Sequence, residues 1–260
     1  MIPQFLLCVF LLCGSSYGVQ IPRSKKNYHE EKPTNYKPLS GNQKQYVDAL
    51  HNSQAKIVIA TGPAGTGKTL FPCIASIDML LEGKINKIVI TRPLVTVEED
   101  LGFLPGSMYD KMSPWTRPIF DIFLECYSKK DFDKMLLDNT IEVAPLAFMR
   151  GRTFKDACII ADEMQNGSPN QMEMLTTRIG KGSRLFITGD LKQSDIRGNV
   201  NGLNDIVSRV SAYYKQNPSI QRMVELVSLD ADDIQRSKIV KHMIDIYAYN
   251  NKDYDSSVAC

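Results

Sequence analysis

Five short apolar runs punctuate the chain: Ile57-Val58-Ile59-Ala60, Lys87-Ile88-Val89-Ile90-Thr91, Ala157-Cys158-Ile159-Ile160-Ala161, Arg184-Leu185-Phe186-Ile187-Thr188 and Met223 to Leu229. Each is rich in β-branched residues and shows no alternation of polar with apolar positions. That is the pattern of strands buried on both faces of a parallel sheet. Helical stretches fall between them. One runs from Lys44 to Asn52, one opens after residue 69, and one covers Ile119 to Tyr127. Another starts at Ser168 as N-cap, with Pro169 at the first helical position. A last one covers Asp230 to Asn250, with Asp232 and Asp233 in its first turn, where they complement the helix dipole. Strands alternating with helices predict an α/β fold, a parallel sheet with helices on both faces. Residues 94 to 139 hold Gly102, Pro105-Gly106, Pro114, Trp115 and Pro118 and predict an irregular helical insertion, with Trp115 read as core rather than as a platform for stacking a base.

The N-terminus follows a different pattern. Phe5 to Cys13 is a nine-residue apolar core, followed by Gly14-Ser15-Ser16-Tyr17-Gly18 with small residues before a break at Val19. This is a signal-peptide pattern ending at residue 18, although no Lys or Arg precedes the core; a buried N-terminal strand is the other reading. Residues 19 to 38 carry Arg23, Lys25, Lys26, Lys32 and Lys37 with Pro22, Pro33 and Pro38, and predict a disordered basic leader. Signal plus basic leader is similar to the two-part address of proteins sent into complex plastids. Ordinary secretion, or a cytoplasmic chain with a floppy tail, remains open beside it. Residues 251 to 260 read as a flexible tail.

Composition adds limits. The 260 residues are 43% hydrophobic and 23% charged, with a formal net charge of +2. That is ordinary for a globular domain and gives no electrostatic case for a dedicated nucleic-acid binder. After residue 20 no stretch approaches the roughly 18 apolar residues of a membrane helix. Of six cysteines, Cys8 and Cys13 lie in the apolar core, and Cys73, Cys126, Cys158 and Cys260 show neither paired nor metal-type spacing.

The candidate chemistry sits at the ends of the runs. After Ile57-Val58-Ile59-Ala60 comes Gly62-Pro63-Ala64-Gly65-Thr66-Gly67-Lys68-Thr69, and a strand, glycine loop and helix in that order form a P-loop. Its glycines let backbone N–H groups cradle phosphates at a helix N-terminus; Lys68 reaches the β- and γ-phosphates, and Thr69 holds Mg²⁺. The strand at 157–161 ends in Asp162-Glu163, in the manner of a Walker B element, with Asp162 for the metal shell and Glu163 to polarise the attacking water. Gln193, beyond the strand at 184–188, is a candidate sensor of the γ-phosphate or its water. Gln43, just upstream of the phosphate loop, carries a carboxamide able to pair with adenine, but a lone Gln near a helix start is more often a solvated polar residue. Arg92 lies at a strand's C-terminal end, where open α/β sheets bind ligands.

Over roughly residues 39 to 250 the chain resembles the PhoH family of P-loop ATPases. The P-loop octapeptide carries the likeness together with Thr91-Arg92-Pro93, Leu101 to Gly106, Ala144 to Thr153, Asp162-Glu163-Met164-Gln165-Asn166 and Ile187-Thr188-Gly189-Asp190. The resemblance implies a RecA/helicase-like P-loop domain, with ATP and Mg²⁺ as cofactors. It implies Gln43 as adenine reader, Asp162 and Glu163 as Walker B, and Gln193 as γ-phosphate sensor. Where the family has Arg-His in its last helix this chain has Arg236-Ser237, and the Pro-Arg after Gln193-Ser194-Asp195 becomes Arg197-Gly198. The nuclease domain of some relatives is not expected in this sequence. The leading expectation is a Mg²⁺-dependent ATPase acting as a homo-oligomer, a ring in which an arginine of one subunit completes its neighbour's site; the candidates are Arg236, Arg150 and Arg152. The rivals are a motor on RNA or single-stranded nucleic acid, and a nucleotide switch or scaffold without useful turnover.

Overall fold

A computed structural model describes residues 36–93, 108–193 and 201–235 and positions 239, 242, 243 and 246. The expected signal segment, nearly all of the basic leader, Arg197, Arg236 and the tail lie outside the described residues.

Six parallel strands form one sheet in the order β3-β2-β4-β5-β1-β6. They are β1 Ile57–Thr61, β2 Lys87–Thr91, β3 Ile141–Val143, β4 Ala157–Ala161, β5 Arg184–Gly189 and β6 Val224–Ser228. The five expected strands are all present, and the register sets Ile59 level with Ile187 on one side and Leu226 on the other. The unbroken apolar runs are explained by what alternate residues meet. Val58, Ala60, Ile88, Ile90, Ile160 and Phe186 share one core with α1 Gly41–His51, α2 Leu70–Leu81, α3 Met108–Cys126 and α4 Lys129–Leu137. Ile59, Val89, Ile159, Leu185 and Ile187 face the other core, under α5 Pro169–Thr176 and α6 Gly202–Gln216. With both faces covered, the inner strands are apolar at both sets of positions, whereas the edge strands β3 and β6 are only partly buried and carry Glu142 and Glu225.

The structure departs from the sequence reading in three places. β3 and α6 are additional elements. From residue 108 on the insertion is more regular than its prolines suggest, because α3 runs through Pro114 and Pro118; residues 94–107, with Gly102 and Pro105-Gly106, lie outside the described residues. An interior proline costs a helix about 3 kcal/mol, but this one buries Ile119, Phe123 and Cys126 against Phe132 and Met135 of α4. Trp115 is half-buried on α3. The helix expected over Asp230 to Asn250 is preceded by a 3-10 turn, Ala231–Asp233, and the chain is extended at Ile234, while the described positions 239, 242, 243 and 246 are helical. The Asp230 and Asp233 carboxylates accept from the N–H groups of Asp232 and Asp230, a capping box that satisfies the first donors of this short turn.

Candidate nucleotide site

In a parallel sheet every strand delivers its following loop to the same edge. Here the loops after β1, β4 and β5 meet at that edge, with β5 between the other two. The P-loop leaves β1 at Gly62, whose backbone lies so close to β6 that an added Cβ would stand 2.4 Å from the Leu229 carbonyl oxygen. At Gly67, φ is +88°, and a Cβ would meet the Phe71 ring at 2.6 Å. The Thr66 hydroxyl and the Lys68 ammonium both donate to the Pro63 carbonyl, at 2.9 and 2.8 Å, so the loop is closed on itself and Lys68 lies across it.

Thr69 is the N-cap of α2, yet its side chain makes no capping bond. Its hydroxyl donates instead to Asp162 Oδ1 at 2.9 Å, joining two motifs 93 residues apart in the chain. Thr188, on β5, donates to the same oxygen. Asp162 is buried, and burial pushes its pKa up; the Thr188 and Thr69 hydrogen bonds and the charge of Arg92 pull the other way, while Glu163 adds to the rise. Two hard oxygen donors side by side, one of them a buried carboxylate, suit Mg²⁺, which takes few protein ligands and completes its shell with water and phosphate. Among the described residues no group of three or more His, Cys, Asp or Glu side chains is arranged to hold a metal.

Glu163 turns the chain sharply. It adopts φ +55° and ψ +39°, the left-handed region, and begins a 3-10 turn over Met164–Asn166. Gln165 in that turn donates from Nε2 to Glu163 Oε2 and accepts at Oε1 from Asp190 N at 3.1 Å. Ser168 then closes a capping box with Gln171 at the start of α5, as the Ser-Pro pair predicts.

Gln43 is buried rather than solvated. Its Nε2 donates to Thr66 O at 3.2 Å and Asp233 O at 3.1 Å, and its Oε1 accepts from Leu39 N at 2.8 Å. Ser40 and Asn42 hold the Asp233 carboxylate, and Tyr46 donates to Lys68 O at 2.9 Å. The first helix is therefore fastened to the P-loop and to the 231–233 turn together. Gln193 is exposed at the end of a turn after β5, its N–H donating to Asp190 O at 3.3 Å. The arginines divide: Arg92 is half-buried and acts on Asp162, Arg150 is exposed, and Arg152 is paired at 2.6 Å with Glu142 of β3 while its guanidinium covers Phe154. Two residues of this edge, Gln165 and Thr188, lie in the motifs that carry the family resemblance but were given no role by the sequence reading. Thr188 stands two positions before Asp190 at the end of an apolar strand, and Gln165 two positions after Glu163, which are signals of place; the bond from Asp190 N to Gln165 has none, because it joins the ends of two strands.

The cysteines described, Cys73, Cys126 and Cys158, are free and buried. No helix among the described residues is long and apolar enough to cross a membrane.

A family model described as PhoH-like protein matches residues 35–248. A PhoH-like protein of Mycobacterium leprae is 38% identical over 216 residues, 82% of this chain and 58% of that protein. One of Bacillus subtilis is 38% identical over 210 residues, 80% of this chain and 63% of its own length. The chain thus spans about three-fifths of the length of these relatives. Among solved structures, the Pif1 helicase of Candida albicans aligns over 82% of this chain and 44% of its own, at 16% identity and a TM-score of 0.38, too distant to carry an argument about activity. By the family match and by its relatives, this chain belongs to the PhoH-like family.

Proposed function

We propose that the protein is a Mg²⁺-dependent ATPase whose site lies at the ends of β1, β4 and β5. The observation that carries this reading is the 2.9 Å contact between Thr69 and Asp162, which joins a phosphate-binding loop to a buried acid. The loop amides and the N-terminus of α2 bind the phosphates, with Lys68 adding a charge-assisted hydrogen bond. Thr69 and Asp162 hold the metal, which neutralises phosphate charge when bound. Glu163, one residue beyond, orients a water for in-line attack and accepts its proton. Gln43 reads adenine in this scheme by exchanging one of its backbone bonds for the base.

Hydrolysis by the whole protein, with Mg²⁺ and with EDTA, tests the proposal. Turnover with Mg²⁺ that EDTA and Lys68→Ala each abolish supports it, and turnover indifferent to both overturns it. A second reading, a motor on single-stranded RNA or DNA, is favoured by one surface feature: Phe148, 56% exposed, stands two residues from exposed Arg150 on the 3-10 turn Leu146–Met149 and its cap. An exposed aromatic ring beside an arginine suits an unstacked base. Strand-stimulated turnover that weakens at high salt distinguishes this from a free-standing ATPase.

A further inference from the structure

The side chain of Gln165 is buried, and its two ends are used on different strands. One end takes a carboxylate oxygen of Glu163 after β4; the other takes the backbone N–H of Asp190 after β5. Room for it is made by the absence of a side chain at Gly189, where a Cβ would stand 2.6 Å from Gln165 Oε1. Asp190 in turn shapes the loop beyond it: its Oδ1 accepts from Lys192 N at 2.9 Å and its carbonyl from Gln193 N. A single amide therefore connects the acid after β4 to the turn that carries Gln193.

Glu163 needs such a tether. A left-handed non-glycine residue costs roughly 1–2 kcal/mol and persists only where its surroundings over-determine it. Here the 3-10 turn fixes the backbone and the Gln165 amide fixes the carboxylate. An amide suits the task, since it donates to the acid while accepting from a backbone N–H, whereas a second carboxylate would repel the first and a methionine would do neither.

We infer that Gln165 is the positioning residue of the hydrolytic step, holding the Glu163 carboxylate in register with the Asp190–Gln193 turn. This rests on the reading of Glu163 as the group that orients water. Gln165→Met then lowers the single-turnover rate of ATP hydrolysis by about 10²-fold, the scale of a misplaced catalytic group, while ATP affinity stays within about threefold, because the lost interaction is made only at the reacting centre.

A double-mutant cycle with Glu163→Gln separates positioning from mere stability. If Gln165 acts through Glu163, adding Gln165→Met to Glu163→Gln changes the residual rate by less than about twofold. Losses that multiply would overturn the inference, as would a Gln165→Met protein as fast as the parent. Should the methionine variant melt early, Gln165→Glu takes its place; it keeps the size of the side chain, loses the donor, and is expected to show the same loss with the same failure to add. If Glu163→Gln itself hydrolyses like the parent, the ATPase assignment of Glu163 falls and this inference with it. If Glu163→Gln is inactive while both Gln165 variants match the parent, only the inference falls.

Discussion

In the proposed ATPase, Lys68 serves binding and Glu163 serves chemistry, and single substitutions should show the division. Lys68→Ala removes a charge from the phosphates and is expected to weaken ATP binding by about tenfold or more, the worth of one charge-assisted hydrogen bond. Equilibrium titration with a fluorescent ATP analogue reads this, and unchanged affinity would remove Lys68 from the site. Glu163→Gln keeps the loop and the metal donors but replaces a proton acceptor by an amide. It should bind ATP like the parent and hydrolyse it about 10²-fold more slowly or worse. The residues behind both predictions were legible in the sequence because each motif is one continuous segment whose chemistry is local: three glycines, a lysine and a threonine in a row, or two acids after an apolar strand. Gln165 and Thr188 were not legible as partners of those acids. Their meaning lies in contacts between strand ends that only the order β4-β5-β1 brings together.

At the scale of elements, the strands were readable wherever both faces are covered, since burial then forbids polar residues. β3 was not, because three residues with a glutamate in the middle make no apolar run. That glutamate has a reason to be there. Burial alone would raise the pKa of Glu142, but hydrogen bonds from Arg152 and Lys87 outweigh it and hold the carboxyl below its ordinary value. A depressed folded pKa gives stability that is present above the unfolded value, near 4.5 here, and is lost as pH falls through the folded value. Acid unfolding should therefore be less steep in Glu142→Gln below about pH 4.5, with the two proteins running parallel at neutral pH; identical acid limbs would deny the network any role. The fastening of α1 was also hidden from the sequence. Arg184 opens β5, yet its guanidinium is buried and donates to the carbonyls of Ala49 and Leu50 in the last turn of α1 and of Asn52 and Ala55 just beyond it. Arg184→Met keeps the apolar stem and strips those carbonyls of their donors, and is expected to cost about 3 kcal/mol, read as a lower urea midpoint. A loss under about 0.5 kcal/mol would mean that water replaces the guanidinium, as at an ordinary surface site.

For the whole molecule, the proposed ATPase raises the question of which arginine would meet charge on the γ-phosphoryl group. Such a residue is worth about 10³ to 10⁵ in rate. Arg92 is the cation that the fold itself sets near Asp162. Arg152 is already committed to Glu142, which leaves Arg150, exposed on its turn, and Arg236, which lies outside the described residues but follows directly on a segment tied to the P-loop through Gln235 N to Gly65 O at 3.0 Å. The expectation is a ring in which Arg236 acts in trans. Mixing Arg236→Ala subunits, whose own P-loops are intact, with Lys68→Ala subunits, whose arginines are intact, tests it directly. Neither should turn over alone, and the mixture should recover a fraction of parental activity that depends on the mixing ratio. A mixture as inactive as its parts, together with loss of turnover but not of ATP binding in Arg92→Ala, would place the finger within the subunit, and a fully active monomer by sedimentation would exclude the ring.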